Sequence, residues 1–485
     1  MPHFSPRHFP SGLISFLLFS TLSCSLMAGE EMRSTLQDQQ SVAVTIYNQD
    51  LALVKDQRRI SLGSGANTLA FRDVSAQIRP ETALLRSIST PGKLSVIEQN
   101  FDFDLLTPDK LLEKYVGKTV GIIKTNLVTG AETTEPAQVL SVNNGVVLRM
   151  ADHIETGVPG RIVYPDVPAN LRDHPTLVMS LQNSGAVQQD VELSYLTGGL
   201  GWKADYVAEL NAADDKMDLS GWVTLTNTSG TSYRNARLQL VAGDVNRVTE
   251  QMQQIRFTAK MDMAAPAAAP RMAEESLLEY HLYTLDRPTT IAENQTKQVA
   301  LLSASQIPVS KELVLKGTDY YYQGSYGDLG QKIKVGVFVE FDNKESAKLG
   351  MPLPKGTIRV YKKDATGNAQ FVGEDSIDHT PRNEKVRLKL GDSFDVTADR
   401  KQTDFKTLPN PTKGNTLFES AYEIALKNAK KEAVTVTVQE PVPGDWKMLK
   451  SSHEYNKASS NTAVWHITIP AESRTTLSYR VQVKY

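Results

Sequence analysis

Cysteine is nearly missing from this sequence: Cys24 is the single cysteine in 485 residues. Disulfides therefore cannot staple the fold, and thiolate metal sites of the C-x-x-C kind are excluded. Histidine is sparse as well, with eight in all and no two at a zinc-ligand spacing such as H-E-x-x-H. Neither sign of charge is in excess, since 53 Lys+Arg stand against 55 Asp+Glu for a formal net charge of −2. That balance excludes the broad basic surface of a nucleic-acid binder. There is no G-x-G-x-x-G, Walker loop or G-x-S-x-G elbow, so dinucleotide, P-loop and α/β-hydrolase chemistry find no motif. Beyond residue 27 no apolar run approaches the roughly 20 residues of a membrane span.

The start of the chain is apolar. Residues 2–11 carry Arg7 and two histidines, and residues 12–27 are apolar with Ser and Thr interruptions before Ala28 and the polar Gly29-Glu30-Glu31. This predicts a signal peptide over 1–28, cleaved after Ala28, and a periplasmic or secreted protein without cysteine. The alternative reads Thr21-Leu22-Ser23-Cys24 as a lipoprotein box, with the chain lipid-anchored through Cys24.

Past the leader, the dominant pattern has period two. Apolar residues alternate at Val42/Val44/Ile46, Leu177/Met179/Leu181, Val191/Leu193/Tyr195, Val335/Val337/Val339/Phe341, Val386/Leu388/Leu390, Val434/Val436/Val438 and Leu477/Tyr479/Val481/Val483. Such alternation buries one face and wets the other, as in antiparallel sheets. The fold class expected is all-β, with several antiparallel β-sandwich or small-barrel modules in tandem and a C-terminal immunoglobulin-like sandwich. One helix is expected over 105–115, capped by Thr107 with Pro108 in its first turn and Gly117 near its exit. The modules divide as N-terminal hairpins (33–105), a small inserted β-barrel (106–165), a central sandwich (166–305), a second sandwich (306–407) and the immunoglobulin-like domain (416–485). Within the last, Trp446 and Trp465 are the expected core aromatics. A Met/Ala/Pro stretch at 249–276 reads as a mobile loop, and 408–415 as a linker.

Candidate chemistry is thin. Residues 374–384 crowd acids, His379 and a proline turn ahead of a clean strand, which makes Asp378, His379, Thr380 and Glu384 a candidate binding turn. A carboxylate beside an imidazole can fix its tautomer, yet the same residues can simply close a bend. Met252, Met261, Met263 and Met272 could collect Cu(I) as soft thioethers, or could tolerate an irregular stretch. No catalytic, cofactor-binding or metal-ligating residue is assigned, and no cofactor is expected.

At that turn, and in blocks spread over nearly the whole chain past the leader, the sequence resembles a known family. Ile377-Asp378-His379-Thr380-Pro381, Glu384 and Gly391-Asp392-Ser393-Phe394-Asp395-Val396 are similar to the bacterial family named domain of unknown function (DUF) 4139. So are Leu200-Gly201-Trp202-Lys203-Ala204-Asp205-Tyr206, Gly221-Trp222-Val223-Thr224-Leu225 with Asn227, Leu240–Asn246, Tyr280-His281-Leu282-Tyr283 and Pro443-Gly444-Asp445-Trp446. The resemblance implies an exported all-β protein without an assigned reaction, some relatives being described as mucoidy inhibitors. Among these blocks Trp202, Tyr206, Tyr280, His281 and Tyr283 form a candidate aromatic surface for a sugar ring, with core packing as the plain alternative for Trp202, Trp222, Tyr206 and Tyr283. The expected function is a non-enzymatic binding or scaffold protein of the cell envelope, whose partner is an envelope protein or polysaccharide. The alternative is a periplasmic hydrolase of polysaccharide or peptide acting near Asp378, His379 and Glu384.

Overall fold

The computed structural model describes His3 and residues 31–485, apart from 49, 103, 169–170, 244, 247–271, 365 and 410–415. The leader with Cys24, most of the 249–276 stretch with Met252, Met261 and Met263, and most of the 408–415 linker lie outside the described residues. Within them strands dominate, and most pairings are antiparallel, as the alternation requires. The one α-helix among the described residues is Pro108–Lys114; its cap Thr107 accepts the Lys110 N–H at 3.2 Å, with Pro108 at the first turn.

Three sheets build most of the first core. The largest runs Ala273–Leu277, Tyr280–Thr284, Tyr233–Ala242, Gln39–Tyr47, Leu51–Ser61, Gln188–Thr197 and Leu84–Ser87, with Thr289–Ile291 added beside Tyr233–Ala242. The second has five strands in the order Gln295–Pro308, Lys216–Asn227, Leu200–Leu210, Gly356–Lys363 and Ala369–Ile377. A four-stranded sheet, Met32–Ser34, Gly65–Arg72, Thr176–Asn183 and Leu94–Asp102, completes it. Their inward residues, among them Val44, Phe71, Leu193, Tyr206, Leu225 and Leu240, form one continuous cluster. Met272, one of the four methionines considered as Cu(I) ligands, is buried in that cluster.

The inserted unit is a sheet rather than a barrel. Its order is Ile154–Thr156, Val147–Arg149, Glu132–Ser141, Thr119–Thr125 and Arg161–Val163, and the two outer strands do not pair with each other. Closure needs strands long enough to tilt and stagger around an axis, and three of these five have three residues. Tyr115, Val120, Ile122, Val139 and Leu148 give the unit a core of its own.

The remaining strands between Ser310 and Lys484 form one nine-stranded sheet. Its order is Asp445–Ser451, Ser473–Lys484, Leu417–Asn428, Lys385–Leu408, Asp328–Asp342, Ser310–Lys316, Val434–Pro441, Thr462–Ile469 and Asn456–Ser459. The stretches expected as separate modules, 306–407 and 416–485, thus contribute interleaved strands to a single sheet. It wraps a second core around Leu315, Tyr322, Val335, Ile424, Val438 and Val481, where Trp465 is fully buried and Trp446 nearly so.

Candidate functional site

The turn singled out from sequence is tied to its own framework. Thr380 and Leu353 exchange backbone hydrogen bonds, each at 2.9 Å, and the Thr380 hydroxyl donates to the Asp378 carbonyl at 2.8 Å. Wholly buried Asn343 holds the far side: its amide donates to the Met351 and Pro381 carbonyls, and its backbone N–H donates to the Glu384 carbonyl. The Glu384 side chain is exposed. His379 is half-buried, its Nδ1 accepting the Lys355 backbone N–H at 3.3 Å while its Nε2 lies 3.2 Å from the Asn48 side-chain amide. The imidazole therefore bridges this turn to the end of the Gln39–Tyr47 hairpin.

The aromatic candidates point mostly inward, which corrects the reading of them as a surface. Trp202, Tyr206 and Tyr283 are buried. Along their strand, Trp202 and Tyr206 match the parity of Leu200, Ala204 and Ala208, so they share the core face. Tyr206 donates to the Pro354 carbonyl at 2.8 Å and Tyr283 to the Pro352 carbonyl at 3.0 Å. Burial pushes both phenols well up, so they stay protonated donors. They pin the 352–354 segment, whose Leu353 in turn holds Thr380; the two sequence candidates thus meet as framework. Tyr280 and His281 are half-exposed, and His281 Nδ1 lies 2.7 Å from Glu274 Oε1 on the neighbouring strand.

The exposed chemistry sits on the opposite face of the five-stranded sheet. In the Lys216–Asn227 strand, Leu219, Gly221, Val223 and Leu225 face inward, so Trp222 and Thr224 face out. Across the sheet, Lys203, Asp205, Val207, Arg359, Tyr361, Phe371 and Glu374 share that outward parity. One hydrogen-bonded row crosses all five strands on the diagonal. Gln298 donates to the Thr224 hydroxyl at 3.1 Å, which donates to Asp205 at 2.8 Å; Arg359 then bridges Asp205 and Glu374, each at 3.1 Å. Beside it runs an apolar diagonal of Trp222, Val207, Tyr361 and Phe371, on four successive strands. Trp222 is 40% exposed, Val207 39% and Phe371 56%, with the Tyr361 ring edge-on to Phe371 at 5.7 Å.

On the other flank of the polar row lies a shallow depression of about 370 Å³, lined by Lys203, Lys355, Thr357, Ser376 and Asp378. Its floor is the close parallel approach of Ala204 and Gly356, where a Cβ on Gly356 would stand 2.2 Å from the Ala204 carbonyl oxygen. Asp378 is the one member of the predicted turn that reaches this face. Burial alone would raise the Asp205 carboxyl, but the bonds from Thr224 and Arg359 and the charge of Lys203 outweigh it and hold the group below the usual carboxylate range. Bonding to Asp205 raises the Arg359 guanidinium in turn. Asp205 is thus held as a carboxylate against the Arg359 guanidinium, which it shares with Glu374.

Of the residues that build this face, Asp205 and Trp222 belong to the sequence blocks that carry the family resemblance. Arg359, Tyr361 and Phe371 carry no motif, and Glu374 only opens the acid-rich 374–384 segment. The usable signal was parity: Trp222 alternates with Val223 and Leu225 and stays in step with Ser220 and Thr224, which marks it as outward.

A family model described as domain of unknown function (DUF4139) matches residues 191–485. The chain belongs to that family. The outward face lies wholly inside the DUF4139 region. The match begins within the Gln188–Thr197 strand, and residues from 42 to 181 share the first core, so the start of the matched region is no break in the fold. No curated protein matches the chain.

Proposed function

We propose that this DUF4139 protein is exported to the cell envelope and acts there as a non-enzymatic binding or scaffold protein, holding an envelope component on the outer face of the five-stranded sheet. The observation that carries this reading is the pair of parallel diagonals, one of pre-bonded polar groups and one of exposed apolar side chains, on a rigid sheet. A surface whose side chains already occupy fixed positions loses little conformational freedom on binding. His379, the one histidine of the predicted turn, is engaged with the Lys355 backbone and Asn48, which suits a framework role. The apolar leader and the absence of cysteine after residue 24 support export.

Fractionation of cells expressing a C-terminally tagged chain tests the address, and sedimentation of the purified protein with isolated envelopes tests the binding. The expected result is a processed chain outside the cytosol, sedimenting with envelopes in a manner lost on combined Arg359→Glu and Phe371→Lys substitution. An unprocessed cytosolic chain, or sedimentation indifferent to both substitutions, would overturn the proposal.

A further inference from the structure

The apolar diagonal crosses three inter-strand steps, about 14 Å measured across the strands at a spacing of about 4.8 Å, and advances along them as well. The exposed Trp222, Val207 and Phe371, with half-buried Tyr361, line it from the Lys216–Asn227 strand to the edge strand Ala369–Ile377. The residue opposite Trp222 on the other outer strand is the small Ala300. Alongside run the hydroxyl of Thr224, the carboxylates of Asp205 and Glu374 and the guanidinium of Arg359, donors and acceptors alternating at fixed separations.

Charge decides between possible occupants. Around the row and the depression, Lys203, Lys355 and Arg359 face Asp205, Glu374 and Asp378, three of each sign. Such near-balance, which the Lys363–Glu209 ion pair continues beside the apolar diagonal, presents little field to an anionic or a cationic polymer. It does present what a chain of hydroxyls needs, paired donors and acceptors, next to π-faces on which the slightly positive C–H faces of sugar rings can pack. A strip this long accommodates a few successive rings lying flat.

Building on the binding role proposed above, we infer that the face binds a neutral glycan, its rings packed along Trp222, Val207, Tyr361 and Phe371 and its hydroxyls bonded to the Thr224–Asp205–Arg359–Glu374 row. The depression beside Lys203 and Asp378 receives the substituents that project from the far edge of the chain.

Calorimetric titration of the purified protein with cellohexaose, maltohexaose and chitohexaose tests this, with polygalacturonate as the charged comparator. At least one neutral hexasaccharide binds with a dissociation constant between about 10 μM and 1 mM, as a shallow open face allows. Trp222→Ala and Phe371→Ala each weaken it tenfold or more, while Phe394→Ala, at a still more exposed ring elsewhere, leaves it unchanged. Circular dichroism and thermal melting check that each variant is folded, and either face variant suffices if the other is not. Absence of binding at about 10 mM, tighter binding of polygalacturonate, or wild-type affinity in the face variants would each overturn the glycan inference. A benzophenone amino acid at position 222, photo-activated in intact cells, separates the two levels. A protein adduct there without hexasaccharide binding overturns the glycan and leaves the binding face standing. No adduct and no glycan binding overturn both.

Discussion

Glu440 is fully buried, and its neighbours explain how a carboxylate can remain there. Arg400 Nη2 donates to Oε1 at 2.7 Å, and the hydroxyls of Tyr321 and Tyr322 both donate to Oε2, Tyr322 at 3.1 Å and also lying 2.8 Å from the Tyr479 hydroxyl. Burial and the charge of Glu440 push all three phenols up, so they keep the protons that they donate. Glu440→Ala strands the Arg400 cation in an apolar core and is expected to cost about 3–5 kcal/mol, read from urea unfolding. The double variant Arg400→Met, Glu440→Leu is expected to lose much less, because it removes both charges together. A single variant that unfolds like wild type would contradict this account. Asp205 makes a different residue-scale prediction, one of pH. Its folded-state carboxyl is held below its ordinary value, so its contribution to stability is complete above about pH 4 and fades as pH falls through the folded value. The difference in urea midpoint between wild type and Asp205→Asn should therefore be constant from about pH 7 to pH 5 and shrink below about pH 4. A difference that grows on acidification would refute the assignment.

At the scale of elements, the alternation legible in the sequence placed the strands well, because burying one face is a local requirement. Thr107 and Pro108 likewise located the helix by local chemistry alone. Local pattern cannot carry the partner of each strand, nor which of two faces a short or doubly aromatic strand buries. Trp202 and Trp222 stand in similar blocks, and only their parity against Leu200 and Val223 separates a core indole from an exposed one. The polar row was illegible for a further reason: Arg359 and Glu374 meet Asp205 only because Gly356–Lys363 pairs in parallel with Leu200–Leu210, about 150 residues away. The small inserted sheet is the exception, a unit whose contacts are its own. Its ends are brought together by Leu105 and Arg172, with Leu106 N–H donating to the Arg172 carbonyl at 2.8 Å and Arg172 N–H to the Asp104 carbonyl at 3.0 Å. Replacing 107–168 by a short Gly/Ser bridge should leave the remaining sheets folded and change their stability by about 1 kcal/mol or less. Loss of the far-UV spectrum, or a larger fall in urea midpoint, would show that the unit supports the rest.

Over the whole molecule the two large cores are joined by two long strands. Asp328–Asp342 gives Val339 and Phe341 to the first core and Val335 to the second; Lys385–Leu408 gives Val386 and Leu388 to the first and Val396 and Ala398 to the second. An alternating strand of 24 residues passing from one core to another is invisible to a reading that closes a module wherever Pro and Gly gather. The consequence is a shared fate. Residues 417–484 cannot complete their own sheet, since Leu417–Asn428 pairs with 396–408 and Val434–Pro441 pairs in parallel with Ser310–Lys316. Leu313, Leu315, Tyr321 and Tyr322 share the second core with Trp465 and Tyr479. A fragment of residues 416–485 would leave the Leu417–Asn428 strand with one open flank and uncover that core. It is expected to give a random-coil amide spectrum, whereas the full chain unfolds in urea with Trp202 in the first core and Trp446 and Trp465 in the second reporting the same midpoint. A dispersed spectrum from the fragment, or two midpoints separated by more than the breadth of one transition, would mean that the long strands tie the cores together in space without coupling their stability.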